Sequence, residues 1–135
     1  MFRRIFLSFI LISSFALCSF RYDAQNIDEV INTLKTSINI QNATQFSEYF
    51  DNTIDITVSN SHSVYTRSHA IILINDFYHK NQPVSFKVDY KGSSPLSDAQ
   101  YVIGTTNTQN GTFRIYLYLK NKGGKFVIQE MKIAR

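Results

Sequence analysis

The side chains able to do acid–base or metal chemistry are few and scattered. Three histidines are present: His62, His69 and His79. His69 and His79 stand ten positions apart, nearly three turns if one helix carries both, so they cannot grip one ion. His62 falls in a turn-like polar stretch, and no metal site is expected. Asp76 and His79 have the i, i+3 spacing of neighbours near a helix end, where the dipole favours a histidine cation. That spacing suits a proton-relay dyad, and equally the commoner exposed pair. No Gly-x-Ser-x-Gly elbow supports a serine nucleophile, and the one cysteine is Cys18. Gly123-Gly124 is too short for a phosphate loop and joins two strand-like segments. The expectation is a protein without cofactor and without an evident catalytic centre.

Cys18 belongs to a leader. Arg3 and Arg4 precede the apolar run Ile5 to Leu17, interrupted only by Ser8, Ser13 and Ser14. A membrane span needs about 20 apolar residues, so this shorter run reads as a signal peptide over residues 1–18. Residues 19–135 then form a single domain with no membrane span. Ala16 and Cys18 supply small residues at −3 and −1 for cleavage before Ser19. A lipobox would want a small residue where Leu17 stands, so lipid attachment at Cys18 is the less favoured alternative. The domain is expected to be exported, to the periplasm or the cell surface, and to be held by packing alone because it has no thiol pair.

The net charge of +4 is unevenly placed. Residues 21–80 carry four basic and seven acidic side chains; residues 81–135 carry eight basic and three acidic. Such a dipole can orient a protein towards an anionic partner. Export and the lack of a base-stacking motif argue against nucleic acid.

The periodicities order the elements. Asn26 and Glu29 form a capping box before Ile27, Val30, Ile31, Leu34 and Ile38, one face of a helix over 27–39. Asn42 caps a second, short helix carrying Phe46, Tyr49 and Phe50. Ile54, Ile56 and Val58 alternate with polar residues as a strand, residues 60–63 turn, and Val64-Tyr65 pairs back briefly. Thr66 caps a third helix with Ala70, Leu73, Ile74 and Phe77 inward, ended by Asn81 and Pro83. Four strands follow. Val84, Phe86, Val88 and Tyr90 share one face; residues 92–97 loop; residues 99–108 form a strand that Gly104 bends or bulges. Asn110-Gly111 makes a hairpin to Phe113, Ile115, Leu117 and Leu119, and Gly123-Gly124 leads to a last strand over 125–133.

This order defines an α+β fold, a curved sheet of about six strands forming a cone with three helices in the N-terminal half. Its pocket side is expected to be lined by Ile27, Ile31, Leu34, Phe46, Phe50, Ile74, Phe77, Phe86 and Tyr101. The opposite face collects Arg114, Tyr116, Tyr118 and Lys87, with Asp89. Tyrosine and arginine bury area while keeping a polar tip, so this face reads as a dimer or partner surface as readily as a solvated one.

Tyr49-Phe50-Asp51-Asn52-Thr53-Ile54-Asp55-Ile56-Thr57-Val58, Val64-Tyr65-Thr66-Arg67, Tyr101-Val102-Ile103-Gly104-Thr105, Asn110-Gly111-Thr112-Phe113 and Gly123-Gly124-Lys125-Phe126 resemble the nuclear transport factor 2-like superfamily. They are most similar to an uncharacterised group of secreted Bacteroidetes domains, over nearly all the mature chain. The resemblance implies the cone fold and little about activity, since the superfamily holds enzymes, binders and transport factors. Its ketosteroid isomerases carry an aspartate late in the first strand. That position falls here on Thr57, or on Ile56 or Val58 after a one-residue slip, and none can take a proton at neutral pH. Asp55 is placed on the opposite, solvated face. The expected function is therefore a secreted, non-catalytic domain binding a small apolar ligand or a protein partner. An isomerase or dehydratase, or a dimeric envelope scaffold, is the alternative.

Overall fold

The computed structural model describes residues 24–135. The leader, Cys18 and the cleavage site lie outside the described residues. Helix α1 (Ile27–Asn39) starts where Asn26 accepts a hydrogen bond from the Asp28 amide, and it buries Val30, Ile31, Leu34 and Ile38. Helix α2 (Ala43–Ser47) is capped by Asn42, which accepts from the Gln45 amide at 3.0 Å. Helix α3 (Arg67–Asn81) is capped by Thr66 and closed by Gln82, whose left-handed backbone lets its amide reach the Tyr78 carbonyl at 2.7 Å.

The strands are β1 (Phe50–Val58), β2 (Ser61–Thr66), β3 (Pro83–Ser94), β4 (Ala99–Thr108), β5 (Gly111–Lys122) and β6 (Lys125–Ala134). They form one sheet in the order β2-β1-β6-β5-β4-β3. The β1–β6 pair is parallel and the other four are antiparallel. The expected α+β architecture, a curved mixed sheet with three helices, is what the chain adopts. At the last hairpin, Gly123 and Gly124 both take positive φ, as a tight two-residue turn requires.

Three boundaries differ from the expectation. β1 begins at Phe50, because Ile128 of β6 already pairs with it. β2 begins at Ser61, since Ser59 turns the chain with φ 54° and the expected four-residue turn shrinks. β3 runs through Ser94, so the expected loop over 92–97 is confined to a shorter turn before Ala99. The irregularity expected at Gly104 lies in the strand beside it. β3 slips register between Val88 and Tyr90, opposite Gly104 and Ile103. That bulge reverses the side-chain alternation, leaving Tyr90 60% exposed, and Val84, beyond a second slip, 68% exposed.

The three helices cover one face of the sheet. Phe46 meets Phe50 edge to face at 5.3 Å between ring centres, and Phe77 meets Phe113 at 5.2 Å. Leu117, Leu119, Ile128 and Phe50 have no accessible surface at all. Burial of each such side chain stabilises the fold by about 1.5–3 kcal/mol.

Candidate functional site

The two faces of the sheet place the expected site residues differently. On the helix side, Ile31, Leu34, Phe50, Phe77 and Phe86 are all buried in one apolar cluster. Leu34 and Phe50 are 1% and 0% exposed, so neither borders a space that a water-sized probe can enter. Leu34, Phe50, Phe77 and Phe86 fill the cone as core, whereas Ile31 also reaches the wall of an open groove of about 360 Å³ between α1 and β3, beside Asp28, Lys35 and Lys91. Tyr101 departs from the expected pocket side. It stands opposite Tyr118 in the β4–β5 ladder, and its ring packs on Tyr118 and Tyr116 across the outer face.

The buried polar groups on the helix side are neutral. The buried polar side chains among the described residues are Ser37, Ser47 and Thr106, and each hydroxyl donates to a backbone carbonyl. Tyr78 is buried as well, and its hydroxyl has no hydrogen-bond partner among the described residues. Burial pushes that phenol well above its ordinary value. Ile56 is buried, whereas Thr57 and Asp55 belong to the outward set. Asp55 Oδ1 lies 3.0 Å from His62 Nε2 across the strand pair, with both side chains about half exposed or more. Asp76 accepts from Lys80 at 2.8 Å, one helical turn on, and this ion pair takes the place of a relay to His79. Among the described residues no three His, Cys, Asp or Glu side chains gather to hold a metal ion. No helix there is long and apolar enough to cross a membrane.

The outer face does assemble. Lys87, Thr105 and Arg114 stand in one row across β3, β4 and β5, and the next rows hold Ile103 with Tyr116 and Tyr101 with Tyr118. All four residues expected at an interface therefore project from the same side. The Tyr101 ring centre lies 5.2 Å from that of Tyr118 and 6.0 Å from that of Tyr116. Lys132 Nζ sits 5.4 Å from the Tyr116 ring centre and pairs with Glu130 at 2.7 Å. Partial desolvation, then Glu130 and the two neighbouring tyrosines, raise the Tyr116 phenol to about 12. It stays protonated and able to donate at any physiological pH. Arg114 and Lys87 have no carboxylate partner among the described residues. Sequence reasoning missed Tyr90, Ile103 and Lys132, which extend this surface; the β3 bulge and the cross-strand register that place them have no local signature.

One buried corner is structural. Asp51, only 15% exposed, accepts from Lys122 at 2.6 Å, Gln129 at 3.0 Å and the Asn52 amide. Burial alone would raise its carboxyl, but the three hydrogen bonds outweigh that and hold it below the usual value. They tie the start of β1 to the β5–β6 hairpin.

Sheet order and helix placement give a curved, unclosed α+β fold like that of nuclear transport factor 2-like proteins. The model of the domain of unknown function DUF4783 matches residues 30–134, and the chain belongs to that family. Among solved structures it is similar to a DUF4783 protein from Bacteroides ovatus, 22% identical with a TM-score of 0.72, over 76% of this chain and 92% of that one. A DUF4783 protein from Bacteroides uniformis gives 22% and 0.73, over 78% and 96%. An NTF2-like protein of unknown function from Shewanella baltica gives 14% and 0.62, over 79% and 88%. Comparison with curated proteins finds no match. At these identities the likeness is one of fold.

Proposed function

We propose that this chain is an exported, non-catalytic binding domain, periplasmic or cell-surface, whose outer sheet face holds a protein partner of the envelope. The observation carrying this reading is the contact cluster of Tyr101, Tyr116 and Tyr118, flanked by the cations Lys87 and Arg114, which have no carboxylate partner among the described residues. Aromatic rings with polar tips beside free guanidinium and ammonium groups suit a partner patch that carries carboxylates around an apolar centre. A small apolar ligand inside the cone has less support, because the side chains meant to line its pocket are packed against one another. The isomerase alternative lacks a carboxylate among the buried polar groups that are described.

The test is a photoreactive phenylalanine analogue at Tyr118, with a control at Lys35 on α1, in cells of the native host. A single discrete adduct from position 118, lost when Tyr116 becomes arginine and not formed from position 35, is the expected result. Adducts of equal yield from both positions would contradict it. If the adduct is a second copy of this chain, the purified protein should give the same cross-link from position 118 and lose it in the Tyr116→Arg variant, and the outer face is then a self-association surface.

A further inference from the structure

Helix α3 leaves Ile72, and part of Leu73, uncovered on its outer side. Its middle reads Ala70-Ile71-Ile72-Leu73-Ile74, five apolar residues in succession. One helix can turn only part of such a run inward. Ala70 and Ile74 are buried, while Ile72 remains 65% exposed. Leu73 lies between the two sides, packed in part against the core, and the rest of the outer side is polar. Here the free side forms a groove of about 400 Å³ lined by Tyr65, His69, Ile72, Leu73 and Asp76.

The order of those residues indicates what covers it. His69, Ile72, Leu73 and Asp76 follow the i, i+3, i+4, i+7 pattern of one helical stripe, and the stripe is symmetric about the point between Ile72 and Leu73. A two-fold axis through that point sets α3 antiparallel to α3 of a second copy. Ile72 and Leu73 then pack on their counterparts at the centre. His69 of each copy faces Asp76 of the other, so an imidazole N–H meets a carboxylate at both ends. The residues of the stripe are thus complementary to themselves when reversed, as an isologous contact requires. Lys80 already pairs with Asp76 within the chain, and it can hold that carboxylate towards the seam. The neighbouring β2 is an edge strand of the sheet, with Val64 60% exposed, and its Tyr65 lines the same groove.

We infer that the exposed stripe of α3 is a homodimer contact, made with α3 of a second copy in antiparallel orientation. This contact is separate from the tyrosine face, so each copy in the pair would present its own outer sheet face.

Sedimentation equilibrium of the purified chain tests it. The wild type should show a monomer–dimer equilibrium. Ile72→Asp should raise the dissociation constant about 30-fold or more, with an unchanged thermal melt because the residue is mostly exposed. His69→Asp sets like charges together and should weaken the dimer about tenfold. The reversed pair His69→Asp with Asp76→Lys should recover it, which a merely disruptive substitution would not do. Tyr116→Arg should leave this equilibrium unchanged, so the contact can stand or fall independently of the proposed partner face. A wild type that stays monomeric at millimolar concentration overturns the inference. So does a dimer indifferent to Ile72→Asp, or one that the charge reversal fails to restore.

Discussion

The two faces of the sheet are built from the same strands and obey opposite rules. In β5, Phe113, Ile115, Leu117 and Leu119 are buried beneath the helices, while Arg114, Tyr116 and Tyr118, one residue out of phase, stand on the open side. The helix side is apolar and interlocked at its centre, opening only at the charged groove between α1 and β3. The open side has three neighbouring tyrosine rings, two cations without a carboxylate partner among the described residues, and the Tyr116 hydroxyl held protonated. Strand alternation lets one sequence satisfy both demands, with core burial assigned to one parity and the proposed partner face to the other.

Substitutions on the two faces should therefore differ in kind. The largest effect is expected inside: Phe50→Ala should lower unfolding free energy by about 3–5 kcal/mol in urea titrations, through the cavity it leaves. Tyr118→Ala, in the same assay, should cost no more than about 1 kcal/mol; a loss equal to that of Phe50→Ala would erase the distinction. Gly104 sharpens the contrast, because it sits on the closed side of a strand whose open side carries Tyr101 and Ile103. A Cβ there would lie 2.6 Å from the Lys87 carbonyl and closer still to the Phe86 ring. Gly104→Ala should cost about 1–3 kcal/mol by overpacking, with part of that recovered in the double variant with Phe86→Leu.

Acidity separates the regions again. The Asp51 carboxyl is depressed below 3.8 in the folded chain, so its contribution is present above the unfolded value and lost as pH falls through the lower folded value. Stability measured from pH 6 to 2 should fall below about pH 4, and Asp51→Asn should flatten that fall. The smallest effect concerns Tyr78, whose buried hydroxyl has no partner among the described residues. Tyr78→Phe should be neutral or stabilising by up to about 1 kcal/mol, and a marked loss would reveal a hydrogen bond that is not accounted for.

Much of this was legible in the residues. Asn26, Asn42 and Thr66 announce their helices, because short polar side chains satisfy free amides nowhere more readily than at a helix start. The strict alternation of β5 placed Arg114, Tyr116 and Tyr118 together without ambiguity. β4 was harder. Tyr101, Val102 and Ile103 are consecutive and apolar or aromatic, so alternation alone cannot choose their faces, and pairing of Tyr101 with Tyr118 decides it. In β3 a regular pattern misled: the one-residue slip after Val88 turns Tyr90 to the open side. Such slips depend on partners distant in sequence, here Gly104 and Ile103. The edge of β3 shows the same dependence. Asn39 accepts from the Phe86 amide at 2.6 Å and Gln41 donates to the Pro83 carbonyl at 3.2 Å, contacts that span more than forty residues.

The most direct test of this division compares side-chain oxidation by hydroxyl radicals in purified protein and in intact envelopes of the native host. Tyr101, Tyr116 and Tyr118 should be oxidised readily in the purified chain and become protected in the envelope. Unchanged oxidation of all three tyrosines in the envelope would contradict a partner-binding role for the open face.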